Sequence, residues 1–564
     1  MNQRIVVIGG VAAGPKAAAR ARRLDPRAEI TILERGEHAS YGACGFPYHL
    51  AGEVEDLDEL RQTANGAVRD EGFFRKVKEI ALLTGADAIE IRRESREVVY
   101  RHRTSGETRL LPYDRLVLAT GARAVTPPIP GVGLDNVFVL KEFTNAGLLR
   151  AAAEATEARA KGEPRAVIVG AGLIGLEVAE ALLVRSWHVT AVEMASQVLP
   201  ALDPEIAAHL EKYARGRGLA VLTGSRVEAL VGTAEGTVSS VRLADREVPA
   251  DLVLVAVGVR PEVELARASG LVLGPTGAIA VDEHLRTSDP AIYAAGDCAE
   301  KRHTVSGRPC WVPLGSTANR EGRVAGTNAV LGPSETFPGV AGTLVMRFFD
   351  LTVARMGLGE AEARSLGFDV ETAIAVGSDK PHFMEGAEAV LLKLIADRAT
   401  RRLLGVQGVG TGDVARRVDA TAAPLMTGMT VDQVANLDLL YAPPYSPPMD
   451  PLAVAANTLR NKLDGVARGL PPAEYRAWMS AERACCLVDV RSPEEHRTLP
   501  FPGGRPIPLG ALRARAGEIP RDHPVVLLCK QGTRGYEGQR ALEGLGFEGV
   551  TYLEGGVLGW PYGD

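Results

Sequence analysis

Two cysteines stand where a sulfur atom could do chemistry, and the first is Cys44 within residues 40–48. The next cysteine in the chain is Cys298, so Cys44 has no partner at the Cys-x-x-Cys spacing of an internal redox disulfide. Any disulfide or persulfide that it forms must therefore include sulfur from another molecule. This predicts a single-cysteine redox nucleophile, and a small buried thiol is the alternative.

The second candidate is Cys529, which follows the apolar run Val525–Leu528 and precedes a short loop with Gly532 and Arg534. The run is typical of a buried strand, and a tight loop after it directs several backbone N–H groups at the cysteine sulfur. Together with the charge of Arg534, those groups stabilise a thiolate or a persulfide anion. The pattern C-x-x-G-x-R therefore predicts a second reactive sulfur.

The elements that position Cys44 begin at the start of the chain. Residues 5–8 form a β-branched run, residues 9–14 a glycine-rich turn, and an alanine-rich helix leads to a second apolar run that ends at Glu34. In such a unit the turn and the helix N-terminus bind a pyrophosphate, and the acid accepts a hydrogen bond from a ribose hydroxyl. Although Val11 stands where a second glycine is usual, the complete unit predicts a dinucleotide site.

A second unit of the same kind starts at residue 166. Its glycines, Gly170, Gly172 and Gly175, match G-x-G-x-x-G, and the strand after its helix ends at Glu193. An acid at that position hydrogen-bonds a ribose 2′-hydroxyl and repels a 2′-phosphate, which favours NADH over NADPH. The chain therefore carries two predicted dinucleotide sites.

The totals fit a globular protein of several domains. The chain has 564 residues, 46% of them hydrophobic and 24% charged, and a net charge of −6. The charge gives no indication of a nucleic-acid or membrane-surface protein. Six cysteines without regular spacing suit a reducing compartment, the start shows no signal-peptide pattern, and Glu177 and Glu180 interrupt the most apolar stretch. We therefore expect a cytoplasmic protein without a membrane span or a metal site.

A third motif points to a family. Residues 287–297 read T-S-D-P-A-I-Y-A-A-G-D, and with the two dinucleotide units they resemble the pyridine nucleotide–disulfide oxidoreductases, which bind FAD and NAD(P)H. The resemblance implies that Asp297 holds the ribityl and phosphate portion of FAD and that Pro313 and Ala318 lie beside the isoalloxazine ring. The implied fold is α/β, with two Rossmann-like domains for FAD and NADH and an α+β dimerisation domain.

The cofactor-binding residues that follow from the motifs and the resemblance are Gly9, Gly10, Ala12, Ala13, Gly14, Glu34, Arg35, Ser40, Ala88, Ala119, Thr120, Gly121, Gly172, Ile174, Gly175, Glu193, Gly258, Asp297, Pro313 and Ala318.

Within this family, the lone cysteine in S-Y-x-x-C-G-x-P-Y resembles the branch of coenzyme A-disulfide reductases, NADH-dependent persulfide reductases and NADH oxidases or peroxidases. Arg20 and Arg23 on the first helix, with Lys76 and Lys78 further along, could bind the phosphates of CoA. A solvated basic surface is the alternative for these four residues.

Two tyrosines, Tyr441 and Tyr445, lie in a segment that resembles the part of this branch in which a tyrosine of the partner subunit approaches the reactive sulfur. A phenol there could hydrogen-bond or protonate a leaving thiolate, whereas a proline-rich turn that packs its aromatic rings is the alternative. Residues 335–455 resemble the dimerisation domain, which implies a homodimer whose active sites each use both chains.

The sequence also differs from this branch in the expected thiol pocket. Ala43 stands where an asparagine is expected, and Phe383 and Met384 stand where two tyrosines are expected. FAD and NADH are unaffected by these differences. The thiol carrier stays open between CoA, glutathione, polysulfide and a protein persulfide.

Residues 473–564 resemble a rhodanese domain, an α/β module in which the cysteine of the C-x-x-G-x-R loop carries sulfane sulfur. By this resemblance Cys529, helped by Arg534, accepts or donates that sulfur; a degenerate domain used as a spacer is the alternative. The predicted boundaries are 1–145 and 271–334 for the FAD domain, 146–270 for the NAD(H) domain, 335–455 for the dimerisation domain and 456–472 for a linker.

These features predict an FAD-dependent NADH oxidoreductase that reduces low-molecular-weight disulfides or persulfides at Cys44 and is coupled to sulfur transfer at Cys529. CoA disulfide and CoA persulfide are the leading substrates. Two other classes stay open: an NADH peroxidase or oxidase in which Cys44 cycles through a sulfenic acid, and a flavoprotein sensor that signals without catalysis.

Overall fold

The first glycine-rich turn leaves the central strand of a parallel sheet. The computed structural model describes residues 2–562, and the five strands of this sheet lie in the order Ile292–Ala294, Arg115–Leu118, Arg4–Ile8, Glu29–Leu33 and Ala81–Leu83. Val6 pairs with Leu116 on one side and Thr31 on the other. The strand is fully apolar from residue 5 to residue 8 because both faces of the sheet are covered.

The second glycine-rich turn has the same setting. The strands that flank it lie side by side in the order His188–Val192, Arg165–Val169, Leu252–Val255 and Val137–Phe138. Ile168 pairs with Ala191 and with Leu254, so the chain order of strand, helix and strand gives a parallel crossover. Helix Leu173–Val184 follows the turn, as the sequence predicts.

Both sheets belong to a first compact unit, which comprises the chain up to Met194 and Ser225–Val340. Its helices are Ala13–Leu24, Phe46–Ala51, Glu71–Lys78, Phe143–Arg159, Leu173–Val184, Glu264–Ala268 and Gly315–Leu331. Its smaller antiparallel sheets use the strands Ala86–Arg92, Glu97–His102 and Thr108–Pro112; Val227–Gly232, Val238–Leu243 and Glu247–Pro249; Ala122–Ala124 and Val259–Pro261; and Lys301–Arg302 and Pro309–Cys310.

The second unit comprises Ala195–Gly224 and the chain from Ala341 onward. Its antiparallel sheet has the strand order Leu344–Phe348, Leu351–Gly357, Leu403–Gly410, Ala389–Asp397 and Val370–Ser378. The helices beside this sheet are Glu360–Ser365, Val414–Asp419, Ala422–Thr427, Val431–Val434 and Pro451–Leu463. This is the α+β arrangement that the sequence predicts for the dimerisation region.

The C-terminal part of the second unit is a parallel sheet with Cys529 at the carboxyl end of its middle strand. The strand order is Gly469–Leu470, Val550–Leu553, Val525–Leu528, Cys486–Asp489 and Arg505–Pro506. The helices are Pro472–Ser480, Pro493–Thr498, Leu509–Leu512 and Thr533–Glu543. Across residues 2–562, every helix is too short or too polar to span a bilayer.

The predicted linker, residues 456–472, is mostly regular structure. Its first part belongs to helix Pro451–Leu463, which buries Leu452, Ala456 and Leu459, and Gly469–Leu470 forms a strand. The helix continues because these apolar residues recur at helical spacing and pack against the core. The composition change that suggested a linker marks a turn and the start of helix Pro472–Ser480.

The segment Ala195–Gly224, predicted within the NAD(H) domain, groups with the second unit. It contains helix Pro204–Gly216 and strand Ala220–Leu222. At the start of that helix, the Nζ of buried Lys393 lies 3.0 Å from the carboxylates of both Asp203 and Glu205, and 2.8 Å from that of Glu360. Burial lowers the pKa of Lys393, but the three carboxylates outweigh this effect and leave it raised. This buried charge cluster attaches the segment to the antiparallel sheet.

Candidate active site

Cys44 lies in a short 3₁₀-helix, Ala43–Gly45, that runs directly into helix Phe46–Ala51. Its thiol is free and the residue is exposed. At the next position, a Cβ on Gly45 would lie 2.2 Å from the Cδ2 atom of Leu60, so the two segments pack closely. The backbone around the cysteine is therefore tightly packed while the cysteine itself stays accessible.

Aromatic rings support the turn before and after Cys44. The ring of Phe143 has centroid distances of 5.4 Å to Tyr41, 6.3 Å to Phe46 and 4.5 Å to His38. Burial raises the pKa of Tyr41, so its phenol stays neutral at physiological pH. These contacts fix both sides of the cysteine turn.

Three charged groups from distant parts of the sequence act on the Cys44 thiol. Surrounding protein desolvates it, the carboxylates of Glu177 and Asp297 repel a negative charge, and the ammonium of Lys141 attracts one. Desolvation and Glu177 outweigh Lys141, so the pKa of Cys44 is raised. Lys141 Nζ also lies 3.7 Å from the Asp297 carboxylate. Taken together, the protein groups around Cys44 therefore oppose its thiolate form.

Glu177 is itself perturbed. Burial, and then the charge of Glu180, raise its pKa to about 7. Glu177 lies two positions after Gly175 on helix Leu173–Val184, so it belongs to the second dinucleotide unit. In the sequence, Glu177 stands out only because it interrupts an apolar stretch together with Glu180. Two carboxyl groups inside a mostly apolar helix were a signal that could have identified it.

Two arginines anchor the helix that follows Cys44. Arg150 Nη1 donates to the carbonyls of His49, at 3.1 Å, and of Glu55, at 3.1 Å. Arg185 Nη1 donates to the carbonyl of Leu50 at 3.3 Å and pairs with Glu157 through two further hydrogen bonds. Cations at a helix C-terminus satisfy its free carbonyls, so these residues hold helix Phe46–Ala51 in place.

The first glycine-rich turn fits a dinucleotide. Gly9 has φ +109°, and a Cβ there would lie 2.0 Å from the carbonyl oxygen of Ala119, while a Cβ on Gly14 would lie 1.9 Å from that of Gly9. Glu34 accepts from the backbone N–H of Gly10 at 2.6 Å and of Gly36 at 2.7 Å. Burial raises the pKa of Glu34 although both N–H groups oppose the shift. The acid is thus held at the turn, where a ribose would lie.

The second turn fits a dinucleotide in the same way. A Cβ on Gly175 would lie 2.0 Å from the carbonyl oxygen of Gly170, so helix and strand approach as closely as backbone allows. A Cβ on Gly172, by contrast, would meet no protein atom within 4 Å. This open space leaves room for a pyrophosphate to approach the backbone. Glu193 accepts from the N–H of Ala171 at 2.8 Å, which places the acid beside the turn.

Two further glycines leave room at the edges of these sites. Gly121, with φ +74°, and Gly258, with φ +108°, would each place a Cβ in open space. Nearby, the Thr120 hydroxyl donates to the carbonyl of Glu262 at 2.6 Å, and Arg35 pairs with Glu142 at 3.4 Å. These contacts fix the side chains of Thr120 and Arg35, two of the residues predicted to bind a cofactor.

The remaining predicted cofactor residues also lie in the first unit. Ala318 is buried on helix Gly315–Leu331, Ala88 lies on strand Ala86–Arg92, and Ile174 is exposed on helix Leu173–Val184. The left-handed backbone of Ser40 has φ +54°, and the Trp311 indole donates to the carbonyl of Asp297 at 2.7 Å.

The four basic residues predicted to bind phosphates are not equivalent. Arg20 Nε donates to the Thr327 hydroxyl at 2.9 Å, and Lys78 Nζ lies 5.6 Å from the ring centroid of Phe73. Arg23 and Lys76 are exposed. The latter pair is therefore more available to a phosphate than the former.

Cys529 is buried, and the backbone N–H of Gly532 donates to its sulfur at 3.0 Å. Arg534 makes two hydrogen bonds to Glu495, of 2.8 and 2.7 Å, and this pair lowers the pKa of Glu495 to about 2. The charge of Arg534 therefore acts near Cys529 while two of its five N–H donors bond Glu495, a partner that the sequence does not indicate.

Tyr441 and Tyr445 lie in an irregular segment of the second unit and are 57% and 67% exposed. Arg416 holds this segment, because its guanidinium donates to the carbonyls of Tyr445 at 2.9 Å and Leu440 at 3.1 Å. The backbone that carries these two tyrosines is therefore fixed by Arg416, while both phenol side chains stay exposed.

Comparison with protein families decides the affiliation of the chain. The model of the pyridine nucleotide-disulphide oxidoreductases matches residues 3–322, that of their dimerisation domain matches residues 344–452, and that of the rhodanese-like domain matches residues 471–561. The chain belongs to the pyridine nucleotide-disulphide oxidoreductase family. The predicted family, its FAD and NAD(P)H cofactors and the C-terminal rhodanese domain are thus confirmed.

Individual relatives cover nearly all of the flavoprotein part. The structure of a NAD-dependent persulfide reductase from A. fulgidus is 43% identical, has a TM-score of 0.93, and covers 99% of this chain and 100% of its own. An NAD(P)H coenzyme A polysulfide/persulfide reductase of Pyrococcus horikoshii is 37% identical over 82% of this chain and 99% of its own. An NADH oxidase of Methanocaldococcus jannaschii is 32% identical over 82% of this chain and 99% of its own.

Removal of the Glu177 charge tests the electrostatics at Cys44. The thiol titrates above the pKa of Glu177, so that carboxylate is ionised when it opposes the thiolate. We expect Glu177→Gln to lower the pKa of Cys44 and to raise its alkylation rate at pH 8 about two- to tenfold. Iodoacetamide kinetics followed by peptide mass spectrometry measure this rate. Glu107→Gln, which removes an exposed carboxylate paired with Arg109, is the control; equal rates in both variants would contradict the account.

The substitution Gly172→Ala tests whether the second glycine-rich turn binds a dinucleotide. Gly172→Ala places a Cβ where no protein atom stands within 4 Å, so the fold should tolerate it. We expect the KM for NADH to rise about tenfold, equivalent to about 1.4 kcal/mol of binding, with an unchanged thermal unfolding midpoint. Gly162→Ala, in an exposed loop with equal room, is the matched control. An unchanged KM for NADH in Gly172→Ala would contradict the binding of the NADH pyrophosphate at this turn.

Proposed function

We propose that the chain is an FAD-dependent NADH oxidoreductase that reduces low-molecular-weight disulfides or persulfides through Cys44. The observation that carries this proposal is an exposed single cysteine in the same compact unit as two glycine cradles for dinucleotides. Such an arrangement suits a two-electron relay that ends at one sulfur atom. The rhodanese domain, with Cys529 free, adds a carrier for sulfane sulfur.

Residues 9–14, Glu34 and Asp297 would hold FAD, and the second turn with Glu193 would hold NADH. Glu193 favours NADH over NADPH, because an acid beside the ribose repels a 2′-phosphate. When bound, FAD supplies to the sulfur at Cys44 the two electrons that NADH provides. Lys141 is the cation that favours the thiolate of Cys44 against the two carboxylates.

In the proposed reaction the Cys44 thiolate attacks a sulfur of the substrate. With CoA persulfide, attack on the inner sulfur joins Cys44 to CoA as a mixed disulfide and releases hydrosulfide. Two-electron reduction then returns Cys44 to the thiolate and releases the CoA thiolate. Cys529 accepts or donates sulfane sulfur in a separate thiolate exchange on the second unit.

CoA species are the substrates that we propose first. The relative from P. horikoshii is named as a coenzyme A polysulfide/persulfide reductase. In this chain, Arg23 and Lys76 are exposed and therefore available to bind phosphate. Ala43, Phe383 and Met384 differ from the expected thiol pocket, so glutathione, polysulfide and protein persulfides are the competing carriers.

We further propose a homodimer. The dimerisation-domain model matches residues 344–452, and this region exposes several large apolar side chains, which marks an interaction surface. They are Phe383, Leu440, Tyr441 and Tyr445, exposed by 68%, 82%, 57% and 67%. In the dimer a tyrosine of this surface would approach the reactive sulfur of the partner subunit and protonate a leaving thiolate.

An NADH oxidase or peroxidase is the second candidate function, because the NADH oxidase of M. jannaschii shares 32% identity. Cys44 would then cycle through a sulfenic acid. The rhodanese domain at residues 471–561 favours the sulfur substrate, since an oxygen-reducing enzyme has no use for a sulfane-sulfur carrier.

The assay that separates these functions is anaerobic reduction with NADH, followed by rapid mixing with CoA persulfide, CoA disulfide or hydrogen peroxide. We expect flavin reoxidation by a sulfur compound, and Cys44→Ser should lower its rate by roughly a thousandfold or more. Cys310→Ser is the control for loss of a thiol outside the site. Fast reoxidation by peroxide with inert sulfur compounds would support the oxidase or peroxidase instead.

A further inference from the structure

A fully buried carboxylate follows the last strand of the rhodanese domain and has no place in the reaction proposed above. Glu554 is 0% exposed and comes directly after strand Val550–Leu553. The Nζ of Lys462 donates to its Oε1, and the backbone N–H of Ile374 donates to its Oε2 at 2.9 Å. Both partners lie outside the rhodanese domain, on helix Pro451–Leu463 and strand Val370–Ser378.

Lys462 also contacts residues of strand Val370–Ser378 in the antiparallel sheet. Lys462 Nζ also donates to the carbonyl of Thr372 at 2.6 Å and lies 3.2 Å from the Glu371 carboxylate. Arg398 pairs with the other oxygen of Glu371 at 2.6 Å. The signs therefore alternate from Arg398 to Glu554, so each buried charge has an opposite neighbour.

The residues just after Glu554 support the loop that carries Cys529. The N–H of Val557 donates to the carbonyl of Cys529 at 2.9 Å, and that of Leu558 donates to the carbonyl of Lys530 at 3.1 Å. A Cβ on Gly556 would lie 2.3 Å from the Cys529 carbonyl oxygen, so there is no room between the two segments. A shift of residues 554–558 would thus move the cysteine loop.

We propose that Glu554 is a positioning residue for sulfur transfer, which fixes the Cys529 loop against strand Val370–Ser378 through Lys462 and Ile374. The role rests on the proposed function, since it requires Cys529 to carry sulfane sulfur. With the carbonyls of Cys529 and Lys530 held, the N–H of Gly532 keeps its hydrogen bond to the sulfur. The anchor lies in another domain, so the rhodanese domain works as part of the whole chain.

The test compares Glu554→Gln with Glu543→Gln in the full-length protein. The control removes a carboxylate of the same domain that pairs with Arg540 and lies on helix Thr533–Glu543. The assays are thiocyanate formation from thiosulfate and cyanide, NADH-dependent reduction of CoA persulfide, and alkylation of Cys529 followed by mass spectrometry.

For Glu554→Gln we expect the kcat of thiocyanate formation to fall about ten- to hundredfold, because a misplaced reacting atom is costly. Alkylation of buried Cys529 should rise as its loop loosens, while NADH-dependent reduction and the Glu543→Gln control stay at the wild-type rate. Lys462→Arg, which keeps the cation, should retain most of the transfer rate.

Three outcomes would overturn the proposal. An unchanged kcat in Glu554→Gln would show that the buried contact does not position Cys529. A joint loss of both activities and of the thermal unfolding midpoint would reduce Glu554 to a general stability residue. Wild-type protein that forms no thiocyanate would contradict the sulfur-transfer function itself, whatever the variant shows.

Discussion

The ionisation of Cys44 is the constraint on which the proposed chemistry depends. Desolvation and the carboxylates of Glu177 and Asp297 oppose a negative charge on its sulfur, and Lys141 favours one. A thiolate with a raised pKa is scarce at neutral pH but is intrinsically more nucleophilic than one with a lowered pKa. The same surroundings disfavour the charged thiolate relative to a neutral form of the Cys44 sulfur.

The rest of the first unit can be understood as the scaffold that brings those groups together. Glu177 comes from the helix after the second glycine-rich turn, and Asp297 from the end of the motif at residues 287–297. Arg150 and Arg185 fix the helix after Cys44 from its other end. Glu177 and Asp297 therefore link the proposed dinucleotide sites to Cys44, and we expect a change at one to affect the other.

Much of this architecture could be predicted from the sequence, because parallel strands and glycine turns have local signatures. The strands before Gly9 and Gly170, the helices after them and the strand before Cys529 all lie where the apolar runs indicate. Glu495 as the partner of Arg534 could not be predicted in this way, nor could the action of Glu177 on Cys44, because these pairs form by long-range packing. Helix Pro451–Leu463 extends into the predicted linker, residues 456–472, because apolar residues at helical spacing continue past the predicted boundary.

The most direct test of the central claim is the mass of the Cys44 peptide after oxidised enzyme is mixed with CoA persulfide and quenched with acid. We expect a Cys44 peptide that carries CoA as a mixed disulfide and returns to the free thiol once NADH is added. An unmodified peptide with CoA persulfide, together with a sulfenic acid that forms at Cys44 on mixing with hydrogen peroxide, would contradict it.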